Sequence, residues 1–371
     1  MIRAGIIGCG DVARRAYIPG IQEFGDRITV VATFDTVAGR ASDLAELFPD
    51  ASAYTSMDDF LAHGGGGAMD IVFNLTPAPL HRVITAKALE AGYRVYSEKP
   101  IAATVEQARE LVEIADKNEK DLICAPATMV TGRFRWLKRL VDNQELGRPI
   151  AIKAHIGGMG PAAWAEYFGD PRVFYQKGVG PLIDTGVYML HVMTGLLGPA
   201  KRIHAVGGIT IPKRKTNIPR LKGETIEVTT PDLFSINLDF GNESFGHLYS
   251  SYAIPQSKAP FFELYAEKGA VSVDREAWYN GNGTSDVFSL EDPGKGWQTV
   301  TPEPNATDGI LESGILHAIR HIEDGEPLVL TAEHATHVLE IMNAARQSLE
   351  TGNAMEIETT FQMEPGAAPV R

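Results

Sequence analysis

The sequence predicts two domains of different class. Residues 1–125 are expected to form an α/β domain with a doubly wound parallel sheet, and residues 126–371 an α+β domain with a large open mixed, mainly antiparallel sheet. In the first part, short β-branched runs alternate with stretches patterned for helices, which is typical of parallel sheets covered by helices. In the second part, strand-like runs follow one another across short turns, as antiparallel strands do.

The strand-like runs of the first part are "IRAGIIG", "ITVVATFD", "DIVFNL", "RVYSE" and "LICA". Helical patterns lie between them over 37–48, 79–91 and 104–117. Ligands of such sheets bind beyond the carboxyl ends of the strands. The residues that directly follow each run are therefore the candidates for binding and catalysis.

The first run ends in "GCGDVARRA", which places Gly8, Gly10 and Ala13 in the G-x-G-x-x-G/A spacing. The first glycine permits a tight turn, the second lets a pyrophosphate approach the backbone, and the small third residue lets the helix pack on the strand. The helix that begins here offers free N–H groups and its positive dipole end to the pyrophosphate. Alone this spacing is a weak signal, because glycine turns without a nucleotide are common.

An acidic residue after the second run strengthens that signal. Asp35 follows about twenty residues later, where a carboxylate accepts hydrogen bonds from the ribose hydroxyls. A carboxylate also repels a 2′-phosphate, which favours NAD over NADP, although Arg40 lies close enough in sequence to keep NADP open. The pair predicts a dinucleotide-binding Rossmann domain, and a Rossmann domain that binds no nucleotide is the alternative.

The third and fourth strand ends read "NLTPAPLH" and "YSEKP". Pro77 and Pro79 stop the strand and start the next helix. His81 is either a ligand contact or a capping or surface histidine. Lys99 is aimed at the crevice where a nicotinamide ring would lie, and burial there would depress its pKa. The alternative is a surface lysine paired with Glu98.

Three polar residues share one face of a predicted helix in "GVGPLIDTGVYMLH". Asp184, Tyr188 and His191 are four and then three residues apart, so their side chains lie along one stripe. Metal binding is the weakest explanation, because tyrosine is an uncommon ligand and one carboxylate with one imidazole underfills a site. Proton transfer and a polar seam inside a core are the other two explanations.

Taken in order, "GCGDVA", Asp35, "TPAPLH", "SEKP" and "GVGPLIDTGVYMLH" resemble the Gfo/Idh/MocA family of oxidoreductases. The resemblance runs over nearly the whole chain, with "LGRPIAIKAHI" as the crossing into the second domain. It implies a Rossmann domain followed by an α+β domain on a large open mixed sheet, with the substrate between them. Lys99 matches the family's E-K-P lysine, and Asp184 matches its helix aspartate.

The chain departs from the family pattern at three positions. Tyr188 stands where family members often carry histidine, although some relatives are similar in using tyrosine there. A phenol has an ordinary pKa near 10 and serves as a base only if a nearby cation lowers that value, and Lys99 is the candidate cation. Val179 replaces a glycine and Ala78 an asparagine. These departures bear on the substrate more than on the fold.

The resemblance implies reversible oxidation of a secondary alcohol on a sugar, cyclitol or related polyol, with hydride passing to NAD. The expected catalytic residues are Lys99, Asp184 and Tyr188. The expected cofactor contacts are Gly8, Gly10, Asp11, Val12, Ala13, Asp35, Thr76, Pro77, His81, Glu98 and Lys99. The expected substrate contacts are Lys99, Trp164, Arg172, Asp184, Tyr188 and His191. Two alternatives stay open: an NAD-dependent glycoside-cleaving enzyme, and a non-catalytic regulator that senses dinucleotide and sugar.

The second domain contains six strand-like runs and two late helical patterns. The strand-like runs are 150–157, 201–211, 232–240, 244–253, 261–266 and 269–273, and the helical patterns are 308–323 and 332–349. An open sheet needs a partner layer or another subunit, so we expect a homo-oligomer, a dimer or a tetramer, through that sheet. The glycine-rich stretch "HGGGGA" precedes a strand without opening a helix, so it is a connector rather than a phosphate loop.

Two loops of the second domain are candidates for substrate specificity. The aromatic loop "GPAAWAEYFGDPRVFYQKG" carries Trp164, Tyr167, Phe168, Phe174 and Tyr175. Its rings either pack against sugar C–H surfaces or form a small satellite core under the loop. The basic loop "PKRKTNIPRLKGE" either attracts a phosphate or carboxylate or is solvated, as charge runs usually are. Its cations are Lys213, Arg214, Lys215, Arg220 and Lys222.

Composition limits the partners and the compartment. The formal net charge of −13 over 371 residues argues against broad affinity for nucleic acids or anionic membranes, which require a surplus of Lys and Arg. The sequence contains no run of about 18 apolar residues, so no membrane span is predicted. The chain has only two cysteines and opens on a strand-like run without a leader pattern, so we expect the reducing cytoplasm.

Overall fold

The computed structural model describes residues 1–63, 68–167, 169–274, 283–302, 307 and 309–363. Four glycines of the predicted connector (64–67) and Phe168 of the aromatic loop lie outside the described residues. The chain divides into two compact units, 1–130 with 306–339, and 131–305 with 340–371. This differs from the two consecutive domains expected from the sequence, because 306–339 belongs with the first unit.

The first unit is built on a six-stranded parallel sheet, which confirms the predicted doubly wound α/β class. Its strands are β1 (Ile2–Ile7), β2 (Ile28–Phe34), β3 (Ser52–Tyr54), β4 (Ile71–Asn74), β5 (Arg94–Ser97) and β6 (Leu122–Cys124). The strand order is β3-β2-β1-β4-β5-β6. The order reverses between β1 and β4, and a ligand crevice opens at such a switch point beyond the carboxyl ends. The short, half-exposed β3 was not predicted.

Five helices connect these strands. They are α1 (Ile18–Glu23), α2 (Ala38–Ala45), α3 (Met57–Leu61), α4 (His81–Glu90) and α5 (Val105–Lys117). The longest, α5, begins where the Thr104 hydroxyl accepts a hydrogen bond from the Gln107 N–H at 3.3 Å. Such a cap contributes about 1 kcal/mol. The helix buries Ala108, Leu111 and Ala115 and exposes its opposite face.

A later helix, α8 (Ile310–Asp324), packs on this unit and explains the division of the chain. A Cβ added to Gly20 would lie 2.7 Å from Ile315 Cδ1, and one added to Gly314 would lie 2.3 Å from Tyr96 Oη. These approaches leave no room for a side chain at either glycine. The N–H of Cys124 donates to the carbonyl of Leu330 at 2.9 Å, so the segment after α8 also bonds to β6.

The second unit is built on a nine-stranded mixed sheet, which confirms the predicted open sheet. Its strands are β7 (Pro149–Gly157), β8 (Arg202–Gly208), β11 (Leu233–Asp239), β12 (Phe245–Ser251), β13 (Phe262–Ala266), β14 (Gly269–Val273), β15 (Ser285–Ser289), β16 (Gln298–Val300) and β17 (Met355–Glu356). The strand order is β16-β15-β14-β13-β7-β12-β11-β8-β17. The pair β7–β12 is parallel and the other neighbouring pairs are antiparallel. The six predicted strands are confirmed, and β15, β16 and β17 were missed.

The helices of this unit include α6 (Gly132–Asp142) and α7 (Val187–Leu197). A third helix, α9 (Ala332–Thr351), begins in the first unit and ends in the second. The largely buried α7 lies against β7 and β12. A separate ribbon pairs β9 (Lys213–Lys215) with β10 (Thr225–Glu227). Among the described residues, no helix is long and apolar enough to cross a membrane.

Candidate active site

The glycine turn after β1 has the geometry expected of a dinucleotide cradle. Gly8 has φ +91°, and a Cβ there would lie 2.9 Å from the backbone of Leu75. A side chain at this position would therefore be strained and would clash. A Cβ on Gly10 would meet no atom within 4 Å, so open space borders the backbone at this residue. Ala13 is fully buried, as the packing of helix on strand requires.

The helix after this turn starts as a π-helix, Ala13–Tyr17, and continues as α1. The sequence predicted an ordinary helix. Pro19 lies in the first turn of α1, and because proline has no N–H it cannot form the i→i−4 bond at that point. The N–H of Ile18 donates instead to the carbonyl of Ala13, five residues earlier. Single π turns of this kind are frequent at functional sites.

Asp35 lies beside the glycine turn. Its Oδ2 accepts from the Cys9 N–H at 3.0 Å and its Oδ1 from the Val37 N–H at 2.9 Å. Each carboxylate oxygen carries two lone pairs, so acceptor capacity remains for ribose hydroxyls. Burial, together with the Asp35 charge, raises the pKa of the Cys9 thiol to about 12. The thiol therefore stays protonated at neutral pH.

His81 joins two strand ends. Its Nδ1 lies 2.6 Å from the carbonyl oxygen of Pro100, and its Nε2 lies 2.7 Å from that of Thr76. The imidazole is 1% exposed. Both ring nitrogens are therefore engaged by backbone that follows the adjacent strands β4 and β5. A structural role is thus present, and the expected contact between His81 and the cofactor stays a prediction.

Glu98 fixes the backbone of the predicted catalytic lysine. Its Oε2 accepts from the Lys99 N–H at 2.9 Å, and its Oε1 accepts from the Tyr17 hydroxyl at 2.7 Å. Glu98 is 9% exposed and Tyr17 is fully buried. The π-helix after the glycine turn is thereby tied to the residue before Lys99. Tyr17 was not predicted as a site residue.

In the second unit, the polar stripe divides by exposure. Leu182–Gly186 is a π-helix, and α7 follows it directly. Asp184 and Tyr188 are half-buried, whereas His191 is only 5% exposed. Of the two roles left open for His191, the low exposure fits the buried continuation of the stripe.

A buried tyrosine that the sequence did not indicate holds Asp184. The hydroxyl of Tyr252, which follows β12, donates to Asp184 Oδ2 at 2.6 Å. Burial raises the pKa of Tyr252 well above its usual value, and the negative charge of Asp184 raises it further. Tyr252 therefore remains a protonated donor.

The aromatic loop forms a small core, as one of its two interpretations predicted. Tyr175 and Tyr252 pack with their ring centroids 5.5 Å apart, and Phe174 packs against the same cluster. Trp164 remains 47% exposed and meets Tyr167 edge-on at 6.2 Å. Trp164 is therefore an accessible aromatic surface of this loop.

Arg172, an expected substrate contact, is half-exposed and engaged by two carboxylates. Its guanidinium pairs with Asp170 at 2.9 Å and with Glu224 of the basic loop. The ion pairs join the aromatic loop to the basic loop. A substrate contact of Arg172 stays a prediction, and any such contact would compete with these pairs.

The basic loop contains one buried cation among exposed ones. Arg214 is 5% exposed and pairs with the fully buried Asp232 at 2.7 Å. The same guanidinium lies 5.5 Å from the Tyr175 ring centroid. Lys213 is exposed and pairs with Glu227 at 2.9 Å. The loop is therefore a solvated charge run, as one interpretation held, with Arg214 as a structural exception.

Comparison with known proteins identifies the family. Residues 2–125 match the model of the oxidoreductase family with an NAD-binding Rossmann fold, and residues 134–272 match the model of the GFO/IDH/MocA C-terminal domain. The chain belongs to the Gfo/Idh/MocA family of oxidoreductases. The resemblance inferred from the motifs is confirmed, as is the NAD-binding Rossmann domain.

Relatives of this family member include characterised proteins. The chain is 27% identical over 362 residues to D-glucoside 3-dehydrogenase of Escherichia coli strain K12, covering 96% of this chain and 97% of that protein. Levoglucosan dehydrogenase, solved with NADH and L-sorbose, has a TM-score of 0.82 at 18% identity over 97% of this chain and 99% of its own. A super-repressor mutant of Gal80p from Saccharomyces cerevisiae has a TM-score of 0.81 at 14% identity over 96% and 97%. The two structural likenesses show the fold alone.

The residues around the glycine turn fit NAD, the cofactor of the family's Rossmann fold. Open space borders the backbone at Gly10, where a pyrophosphate would approach. Asp35 is a carboxylate at the end of β2, where the ribose hydroxyls would bind. In the described residues, no group of three or more His, Cys, Asp and Glu side chains is arranged to hold a metal ion.

Proposed function

We propose that this protein catalyses the reversible, NAD-dependent oxidation of a secondary alcohol on a sugar, cyclitol or related polyol. The observation that carries the proposal is family membership across both units, together with an ionisable residue at each of the three positions assigned to chemistry. The near full-length relative that is a D-glucoside 3-dehydrogenase supports a sugar as the substrate class.

The chemistry requires two groups at one substrate oxygen. When bound, NAD would supply the acceptor for the hydride of the substrate C–H bond, and alkoxide-like charge would then develop on the substrate oxygen. A cation stabilises that charge while a base removes the hydroxyl proton. In the proposed mechanism Lys99 supplies the cation, Tyr188 exchanges the proton, and Asp184 orients the substrate hydroxyl. The products are a ketone, NADH and a proton.

The position of Lys99 supports its role. It follows β5 by two residues, at the carboxyl end of the strand next to β4, and β4 borders the switch point of the sheet. Its backbone N–H is bonded to Glu98, and the following carbonyl of Pro100 is bonded to His81. The backbone on both sides of Lys99 is thus fixed by buried side chains, as a residue that must meet a reacting atom requires.

NAD is the proposed cofactor rather than NADP. Asp35 is 8% exposed and holds the turn at Cys9 and Val37, so its carboxylate is fixed where a 2′-phosphate would have to bind. Repulsion between the Asp35 carboxylate and the 2′-phosphate of NADP would disfavour NADP.

The second candidate is a regulator that binds dinucleotide without turnover. Its support is the fold shared with Gal80p. Lys99, Asp184 and Tyr188 favour the enzyme, because a protein that only binds needs no acid/base pair. A glycoside-cleaving enzyme that recycles NADH is the third candidate, and the same experiment distinguishes it.

The test is a cofactor-reduction screen with the purified full-length protein. NAD and NADP would each be mixed with a panel of aldoses, alkyl glucosides, anhydrosugars and cyclitols, while NADH formation and glycoside release are followed together. The proposal expects NADH equal in amount to the oxidised sugar. Glycoside release with catalytic NAD and no net NADH would identify the glycoside-cleaving enzyme. Calorimetric binding of NAD and sugar without either reaction would identify the regulator.

We also propose a homo-oligomer that buries the open face of the nine-stranded sheet. Tyr265 and Phe245 both lie opposite Ala151, so all three share one cross-strand row on that face. Tyr265 is 37% exposed and Phe245 is 50% exposed. Large apolar residues on an open sheet favour contact with a second copy.

A cytoplasmic location is proposed on the cysteine chemistry. Cys9 and Cys124 are both free and buried. Free thiols without disulfides are typical of proteins in a reducing compartment.

A further inference from the structure

The carboxylate of Asp184 is held from outside its own helix. Tyr252 lies 68 residues later in the chain, and its hydroxyl donates to Asp184 Oδ2 at 2.6 Å. Tyr252 is 1% exposed, whereas Asp184 is half-buried. The phenol therefore approaches the carboxylate from the protein interior and leaves the solvent side of Asp184 to other contacts.

The backbone of Tyr252 is fixed by a buried ion pair. Its carbonyl accepts from Arg214 Nη1 at 2.7 Å, and Arg214 Nη2 donates to Asp232 Oδ2 at 2.7 Å. The side chains of this pair are 4% and 0% exposed. An arginine fork that binds a carboxylate and a carbonyl together holds both in a defined geometry.

Asp232, the acidic partner of this ion pair, is held by neighbouring residues of the chain. The Asp232 carboxylate also accepts from the Thr210 N–H at 2.6 Å, the Thr210 hydroxyl at 2.8 Å and the Ile211 N–H at 3.1 Å. Its oxygens are thus occupied by neighbouring groups. The pair serves as a structural anchor rather than as a binding site for an external ion.

The ring of Tyr252 is fixed as well. The ring centroids of Tyr252 and Tyr175 are 5.5 Å apart. The Arg214 guanidinium lies over the Tyr175 ring, 5.5 Å from its centroid. The Tyr175 hydroxyl accepts from the Ala162 N–H at 3.0 Å. Both the aromatic loop and the basic loop therefore contact Tyr252, whose hydroxyl holds Asp184.

Tyr252 cannot take over the role assigned to Tyr188. Burial and the charge of Asp184 hold the pKa of Tyr252 well above its usual value, so this phenol only donates. Tyr188 is half-buried and lies on the helix of Asp184 itself. The two tyrosines thus have separate roles in the same site.

We propose that Tyr252 is a positioning residue, which holds Asp184 Oδ2 so that the other carboxylate oxygen is set for the substrate hydroxyl. The proposal rests on the proposed function, in which Asp184 orients the substrate. A preorganised carboxylate need not be reoriented as the reaction proceeds, which is how positioning residues contribute to rate. The two loops first considered for specificity then act partly on the geometry of Asp184.

The first test is Tyr252→Phe, which removes the hydroxyl and keeps the ring in the core. For the sugar oxidised best in the screen, kcat should fall at least about tenfold, since a misplaced catalytic group loses rate steeply. The KM for NAD should change less than about twofold, because the NAD-binding unit does not contain Tyr252. Tyr93→Phe is the matched control. The Tyr93 hydroxyl also donates a hydrogen bond from a buried ring, to the Leu61 carbonyl at 2.7 Å, and this variant should keep wild-type kcat.

A double mutant separates this inference from the proposed function. Asp184→Asn alone should lose turnover, and adding Tyr252→Phe should cause no further loss, because both act through one carboxylate. If Asp184→Asn loses turnover while a folded Tyr252→Phe protein keeps wild-type kcat, the positioning role is overturned and the proposed function stands. If Asp184→Asn turns over normally, the proposed mechanism itself is overturned.

Arg214→Lys is the second variant, in case Tyr252→Phe does not fold. Lysine keeps a positive charge beside Asp232 but lacks the fork that also reaches the Tyr252 carbonyl. A smaller fall in kcat with an unchanged KM for NAD is expected. Wild-type kcat in a folded Arg214→Lys protein, or a parallel loss of NAD binding and turnover in either variant, overturns the proposal.

Discussion

Two buried tyrosines each donate a hydrogen bond to a carboxylate that either is assigned to chemistry or directly precedes a residue that is. Tyr17 bonds Glu98, the neighbour of Lys99, at 2.7 Å. Tyr252 bonds Asp184 at 2.6 Å. Hydrogen bonds to an ionised carboxylate are stronger than those between neutral groups. Each unit therefore fixes its own part of the proposed mechanism with a phenol.

The first residue-level prediction concerns Lys99, the proposed cation, and Tyr188, the proposed proton-exchanging group. Lys99→Ala and Tyr188→Phe should each lower kcat at least about a hundredfold, the contribution expected of an acid/base group. Both should still bind NAD, measured by fluorescence titration, because neither change removes the glycine turn or Asp35. Lys117→Ala, at an exposed lysine in the last turn of α5, is the control and should keep wild-type turnover.

Near-wild-type kcat in either variant would remove that residue from the mechanism. A loss of NAD binding in Lys99→Ala would instead assign the lysine to the cofactor. The two outcomes are told apart because binding and turnover are measured separately.

At the scale of elements, the helix after the glycine turn and the helix that carries Tyr188 both begin with π turns. These are Ala13–Tyr17 and Leu182–Gly186. The second π turn approaches β12 closely, since a Cβ on Gly186 would lie 3.0 Å from Ser250 Oγ and 2.9 Å from Leu182 Cδ1. The absence of a side chain at Gly186 thus lets the segment that carries Asp184 lie against the strand.

Gly186→Ala is therefore expected to destabilise this element. The added methyl group would push the π turn away from β12, and overpacking of this kind costs about 1–3 kcal/mol. Urea denaturation should show a lower free energy of unfolding. Gly39→Ala is the control, because a Cβ there meets nothing within 4 Å and alanine is the better helix former. Equal stability of the two variants would show that the turn can adjust.

A second element-level prediction concerns the contact of α8 with the turn before β6. His321 Nε2 lies 3.4 Å from Asp121 Oδ2. The hydrogen bond that His321 donates to Asp121 raises the pKa of His321, and His321, followed by Arg94, lowers the pKa of Asp121 to about 2. Asp121 and His321 are both charged at pH values between the lowered pKa of Asp121 and the raised pKa of His321.

The sign of the pH dependence follows from the two shifts. The His321 contribution is fully present below its ordinary pKa of 6.5 and is lost as pH rises through the raised value. The Asp121 contribution is present above its ordinary pKa of 3.8 and is lost as pH falls through about 2. The stability difference between wild type and His321→Gln should thus be largest, about 1 kcal/mol or less, in mildly acidic buffer and shrink in alkaline buffer. A difference that grows toward alkaline pH would contradict this assignment.

At the scale of the whole molecule, the open sheet face predicts self-association. Phe245→Glu places a charge in the row formed with Ala151 and Tyr265, and burial of that charge against a second copy would be costly. Sedimentation should show a homo-oligomer for the wild type and a shift toward monomer for this variant. Val83→Glu, at a residue 44% exposed on α4, is the control and should leave the assembly unchanged. A monomeric wild-type protein would contradict the prediction.

The sequence by itself determined the features that are written in contiguous residues. Short β-branched and strand-like runs predicted five of the six Rossmann strands and six strands of the large sheet, because such patterns are local properties of the chain. The glycine turn and Asp35 were recognisable because their spacing follows from strand and helix geometry. Short or exposed elements such as β3 (Ser52–Tyr54) and β9 (Lys213–Lys215) carry no such period and were missed.

Only the tertiary structure decided which buried groups meet. Tyr17 and Glu98 are 81 residues apart, and Tyr252 and Asp184 are 68 apart, so no local pattern pairs them. The placement of 306–339 with the first unit likewise depends on packing. A buried hydrogen bond needs its partner within about 3 Å, and which residue stands there is decided by how distant elements pack. The sequence therefore identified the residues of the proposed chemistry, and the fold decided what holds them.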